Sequence, residues 1–243
     1  MINNEIIFTS PLEGIIDPPK PSLLTIPESY KNLSKRIDEK DPLAKSVKAC
    51  IPFLDALTVG YIISFPVDFC FTVQEEKNNK GEVRHHVQGY VHSDMPEEYF
   101  KYFEIQTHEE KQMPPSLRSS YRTIDIIFKI LSPWHIKTPS GYSCIFTNPF
   151  NRNTPFKIID GIVDTDSFPL TINFPAFWTK DPSVKETVIK KGTPLALVIP
   201  FKRQQWKMKT IKKEVNLPQI KFKYASLLKD NYKKLFWNKK SFK

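Results

Sequence analysis

Apolar residues along this chain fall into short runs broken by Pro, Gly and Asn, and the runs change character from one end to the other. Over residues 1–48 small apolar groups (Ile6-Ile7-Phe8, Leu23-Leu24) alternate with Pro18-Pro19 and Pro21. That pattern predicts an extended arm crossing another surface, then a polar turn or short helix near Tyr30–Lys40. From Cys50 the apolar density rises. Ile51–Leu57 leads to Gly60–Pro66 and to Val67–Val73, which reads as a buried strand. Lys77–Glu82 reads as a polar turn and Val83–Val91 as the returning strand. Asp94 and Pro96 suit an N-cap and an early-turn residue, so a helix is expected over Pro96–Phe103. Ile124–Leu131 is strand-like, and five further beats follow: Trp134–Thr138, Ser143–Thr147, Gly161–Asp164, Leu170–Phe174 and Leu195–Pro200. Strands this short and this regularly punctuated predict a mainly β sandwich or small barrel, not a parallel sheet crossed by helices.

The last segment has another period. Phe222, Ala225, Leu228, Tyr232, Leu235 and Phe236 recur at three- and four-residue steps with lysines between them. Gln219–Phe242 is therefore expected as a basic amphipathic helix with Pro218 before it, and Gln204–Leu217 as an irregular connection. The organisation that results is an N-terminal arm (1–48), a β-rich domain (49–203) and a basic linker with helix (204–243).

Composition sharpens this in three ways. Seven Gly against 21 Pro favours short strands with Pro-bearing turns over long helices. Cys50, Cys70 and Cys144 are odd in number and lack a C-x-x-C spacing, which predicts reduced thiols in a cytoplasm. No apolar run approaches the roughly 20 residues that span a bilayer. The formal net charge of +10 is not spread evenly. Lys202–Lys243 holds 14 Lys and Arg against Glu214 and Asp230, leaving the rest of the chain at a net −2. A near-neutral body with a basic tail calls for two separate explanations.

One run of motifs is specific as a combination: Thr138-Pro139-x-Gly141-Tyr142, Asn151-Arg152, Gly161-Ile162-Val163-Asp164-Thr165-Asp166, Lys191-Gly192-Thr193-Pro194 and Ile199-Pro200-Phe201-Lys202-Arg203. It resembles an uncharacterised domain family of bacteria and tailed phages over Pro133–Arg203, and more loosely over Cys50–Phe69. That family brings no established activity. More distantly the order is similar to the β-clip enzymes, the dUTP pyrophosphatases and dCTP deaminases. The resemblance implies a β-clip-like scaffold, with Asp164 in the place of the aspartate that lies beside the sugar and an activated water. It also implies that Gly161 and Gly192 supply turn geometry that a Cβ would resist. The pattern departs from those enzymes where they act on nucleotides. The base-stacking aromatic position is Ser167, with Phe168 one step late. The phosphate loop position reads Asn148-Pro149-Phe150-Asn151-Arg152, while Arg118-Ser119-Ser120 comes far too early. After Gly192 there is no glycine to build an arm over phosphates.

The candidate sites follow. Asp164 and Asp166 would bind a divalent cation or act as a base, or would cap a tight turn. Arg152 would bind an anion or pair with Asp160 or Asp164. His92-x-Asp94 with His135 fits part of a non-haem iron facial triad. In the tail, Lys207, Lys209, Lys212, Lys213, Lys233 and Lys234 would neutralise phosphates, and Trp206, Tyr224, Tyr232 and Trp237 would stack on bases. The same tail also reads as a membrane-surface helix, or as a helix docked on its own domain or on a partner chain. The leading expectation is a non-catalytic binding or structural module, phage-encoded, acting in virion assembly or host takeover. It needs no cofactor, and has a protein partner or a second copy of itself, with non-specific nucleic acid through 204–243. A nucleotide hydrolase using Asp164 and Mg²⁺ is the alternative, and an iron oxygenase the next.

Overall fold

The computed structural model describes residues 4–41, 44–77, 81, 83–108, 112–114, 127–181, 183–212 and 231–243. The chain divides into two units: Met1–Lys20 with Gly60–Lys202, the β unit, and Pro21–Val59 with Arg203–Lys243, the tail unit.

The β unit holds several small antiparallel sheets, and none closes into a barrel among the described residues. Its strands are β1 (Ile7–Thr9), β2 (Lys20–Pro21, at the unit's boundary), β3 (Tyr61–Ser64), β4 (Asp68–Lys77), β5 (Val83–His92), β6 (Ile105–Thr107), β7 (Ile127–Ile130), β8 (His135–Lys137), β9 (Tyr142–Thr147), β10 (Phe156–Ile158), β11 (Gly161–Val163), β12 (Phe174–Trp178), β13 (Glu186–Ile189) and β14 (Pro194–Lys202). One sheet runs β11-β9-β14-β3-β2, a second β10-β12-β7-β6 and a third β13-β4-β5, while β1 pairs with β8.

The core is aromatic. On β4 alternate residues Phe69, Phe71 and Val73 point inward, as the two-residue period of a strand requires. Phe71 stacks on Trp178 at 5.2 Å and meets Phe128 edge-on at 5.7 Å, and Phe65 packs against Phe69 and Phe156. These rings are almost fully buried, and each contributes about 2–3 kcal/mol of apolar transfer. The N-terminal segment takes part too: Leu12 and Ile16 are core residues, and β1 aligns Ile7 with Lys137.

Gly60 opens β3 at a positive φ of 69°, and a Cβ there would lie 2.2 Å from the Val198 carbonyl oxygen. Only glycine lets β3 approach β14 so closely. Proline inside strands is accommodated where a neighbour ends. Pro200 lies beyond the last residue pair of β14 with β3, Val198 with Tyr61, so its missing N–H breaks no bond on that side.

Several boundaries differ from the expectations. Pro96–Phe103 contains a 3₁₀ helix at Glu97–Tyr102 with Pro96 as N-cap, and Asp94 does not cap it; Ser93 Oγ instead accepts from Met95 N. The strand expected at Leu170–Phe174 begins at Phe174 and runs on to Trp178. Pro175 reads as a terminator in sequence, yet its carbonyl accepts from Ile159 N and β10 pairs only from Ala176 onward. The strands β6, β10 and β13 are additional, and β1 and β2 fall within the expected extended arm.

The tail unit is helical and irregular. It contains α1 (Glu28–Lys31), α2 (Ile51–Thr58, with Pro52 in its first turn), two 3₁₀ turns and α3 (Asn231–Leu235). Tyr30 stacks on Phe53 at 5.7 Å. Of the helix expected over Gln219–Phe242, residues 219–230 lie outside the described residues. The described part is helical only to Leu235, and Trp237–Lys243 is not helical.

Candidate functional site

The Gly161–Asp166 turn is where sequence places the chemistry, and the pairing of β9 with β11 positions it. The register sets Val163 opposite Cys144 and Gly161 opposite Phe146, so Asp164 emerges beside Ser143. Ser143 Oγ donates to Asp164 Oδ1 at 2.6 Å. The Asp164 carbonyl accepts from Ser167 N at 3.0 Å and Phe168 N at 2.9 Å. Asp166 Oδ2 accepts from Gly141 N at 2.9 Å, and its carbonyl accepts from Lys137 Nζ at 2.5 Å. Asp166 thus ties the turn to the Pro139–Tyr142 turn, which Gly141 enters at a φ of 83°, and Asp164 ties it to β9. Short carboxylate side chains accepting from nearby donors are a standard means of fixing a tight turn.

Beneath the turn lies a closed polar cluster. Thr165 is fully buried, its hydroxyl 2.7 Å from that of Thr138 and 3.3 Å from Cys144 Sγ. Thr138 N also donates to the Thr165 carbonyl at 3.3 Å. Burial pushes the Cys144 thiol up to about 11, against a smaller downward pull from the Thr165 hydrogen bond. A thiol so placed is an inert packing residue at neutral pH. Gly161 does not carry the strained geometry expected of it. It sits in β11 without a positive φ, and a Cβ there would meet nothing within 4 Å. Gly192 does have it, at a φ of 82°, in the turn where Gly192 N donates to the Phe65 carbonyl.

Arg152 and Asp164 leave the β9–β11 pair at opposite ends. Arg152 belongs to the loop after Thr147, bracketed by Asn148, which bonds both the N–H and the carbonyl of Ile158. Asp160 closes the same end, accepting from Thr147 Oγ1 at 2.7 Å. Arg152 is half-buried, and that burial lowers its pKa. In the same loop Asn151 adopts a φ of 57°, a conformation asparagine tolerates better than most residues. A cavity in the β unit lies elsewhere, between Ile63–Pro66 and Ile130–Pro133. It measures about 10 Å³, barely space for one water.

The three residues of the iron hypothesis are used separately. His92 ends β5 opposite Asp68. His135 on β8 is 3.4 Å from Thr9 Oγ1 through Nδ1 and 3.2 Å from the Phe168 carbonyl through Nε2. Asp94 follows in the bend after β5. Among the described residues no group of three His, Cys, Asp or Glu side chains could hold a metal ion.

In the tail unit, Lys207, Lys209 and Lys212 lie on an exposed segment without regular structure, and Lys233 and Lys234 are exposed on α3. Lys213 lies outside the described residues. Trp237 is half-buried. Its indole Nε1 is 3.0 Å from both oxygens of Asp55 on α2, and Lys240 reaches the same carboxylate at 2.6 Å. Sequence reasoning missed Asp55, because an acidic residue in a short apolar helix carries no signal until its partner, 182 residues away, is placed. No helix among the described residues is long and apolar enough to cross a membrane. In comparisons with known proteins, the chain matches no protein-family model, no curated protein and no solved structure.

Proposed function

We propose that this protein is a non-catalytic binding or structural module, a β-clip-like scaffold of phage origin that serves virion assembly or host takeover. The observation behind this reading is the use of the Asp164–Asp166 turn. Asp166 holds the Asp164–Phe168 turn to the Pro139–Tyr142 turn through Gly141 N, Asp164 holds it to β9 through Ser143 Oγ, and the turn rests on a sealed Thr138–Thr165–Cys144 cluster. A general base needs a reacting proton within hydrogen-bond reach in a site that admits substrate. The sequence here lacks the stacking aromatic, the phosphate loop and the glycine arm that would form one around a nucleotide.

The test is direct. The purified full chain is incubated with a panel of nucleoside triphosphates and Mg²⁺, alongside Asp164→Asn. The expected result is no turnover in either protein. Turnover in the wild type that disappears in Asp164→Asn would establish the hydrolase instead.

A further inference from the structure

The β unit and its turns leave Arg203–Lys212 unexplained. This segment follows β14 and carries Arg203, Lys207, Lys209 and Lys212 with no acidic residue. It forms no helix or strand, and its residues are exposed. Large apolar side chains stand out in it: Trp206 is 88% and Met208 90% exposed. Of the four tryptophans in the chain, Trp134 and Trp178 are in the core and Trp237 is bonded to Asp55. Trp206 is the one whose rings face solvent.

We infer that Arg203–Lys212 is a binding site for single-stranded nucleic acid, in which Trp206 stacks on a base and the four cations contact the phosphates. Three classes of partner would answer the charge, and the indole separates them. An acidic peptide supplies carboxylates but no flat face for Trp206. A lipid surface would take Trp206 and Met208, but it offers headgroups and acyl chains and no aromatic face on which the indole could stack. Duplex nucleic acid has its bases stacked on one another and hidden from the indole. A single strand offers phosphates and exposed base faces together, with stacking that tolerates any base. The site is remote in sequence from Asp164, so it stands or falls independently of nucleotide turnover there.

The experiment follows binding of the full chain to a fluorescein-labelled oligothymidylate by anisotropy over a salt series. Four phosphate contacts predict a log–log salt slope of about −3. The triple variant Lys207→Gln, Lys209→Gln, Lys212→Gln should flatten the slope by about two units. Trp206→Ala should weaken binding roughly ten-fold while leaving the slope unchanged. All four positions are solvent-exposed, and unchanged circular dichroism and melting would show that the variants keep the fold. Several results would overturn the inference: no binding at low salt, duplex binding as tight as single-strand binding, or an unaffected Trp206→Ala variant. Polyglutamate competing as well as unlabelled oligothymidylate would point to an acidic protein instead. Preferential co-sedimentation with anionic vesicles would point to a membrane surface.

Discussion

The two units handle their apolar residues in opposite ways. The β unit buries Phe65, Phe69, Phe71, Phe103, Phe128, Phe156, Phe174 and Trp178 almost completely. In the tail unit the buried residues among those described are Ser22 and Leu57, while Trp206, Met208, Ile211 and Phe236 are largely exposed. Charge divides the same way, with the basic excess of the chain carried by its C-terminal stretch. A unit with a close-packed aromatic core derives its stability from burial. Among its described residues the tail unit has almost no core and relies on polar ties such as those of Asp55 to Trp237 and Lys240, which are individually weak.

Thiol chemistry should give the widest contrast. Cys50 is exposed in the tail unit, and Cys144 is buried with its pKa raised to about 11. With a chromogenic disulfide reagent at pH 8, Cys50 should react within minutes and Cys144 only on unfolding, as mass mapping of the labelled peptides would show. Rapid labelling of Cys144 in the native protein would mean that the core of the β unit is open.

Core truncation comes next. Phe71→Ala removes the ring between Trp178 and Phe128 and should cost about 3–5 kcal/mol in urea unfolding. Backbone geometry follows. Gly60→Ala, at positive φ against the Val198 carbonyl, should cost at least about 2 kcal/mol. Gly161→Ala, which meets open space, should change stability by less than about 0.5 kcal/mol. Equal effects at the two glycines would contradict the geometry of both turns.

The smallest effect concerns acid. A hydrogen bond from Lys190 Nζ holds the Asp68 carboxyl below its ordinary range, aided by the Lys191 N–H. A carboxyl depressed in the folded state binds fewer protons there than in the unfolded chain. Its stabilising contribution is therefore complete above the unfolded value near pH 3.9 and is lost as pH falls below it. Urea midpoints from pH 6 down to pH 2.5 should fall less steeply for Asp68→Asn than for the wild type. Parallel curves would remove Asp68 from the acid response.

The hairpin of β4 with β5 was legible because the apolar-dense run Val67–Val73 and the run Val83–Val91 flank a polar turn. Strand β9 was legible for a similar reason, being bounded by Gly141 and Asn148. Strand β13 was not, since Glu186–Ile189 is short and half polar and finds its partner β4 far back in the chain, at Phe69–Thr72. The start of β12 differs because Pro175 breaks an isolated strand, yet in the sheet it is harmless on the β10 side, where pairing reaches only Ala176.

The Asp164–Asp166 turn was visible in sequence as a pair of carboxylates, and the residue types alone left two roles open. In the fold they accept hydrogen bonds from Ser143 and Gly141. By itself the sequence determined the β-rich character of the chain and the concentration of positive charge at its C-terminal end, because both follow from the order of residue types. Tertiary structure alone decided which glycine is irreplaceable, which tryptophan is held by Asp55 and which stands in solvent. Those depend on close approaches between residues far apart in the chain, which local pattern does not encode.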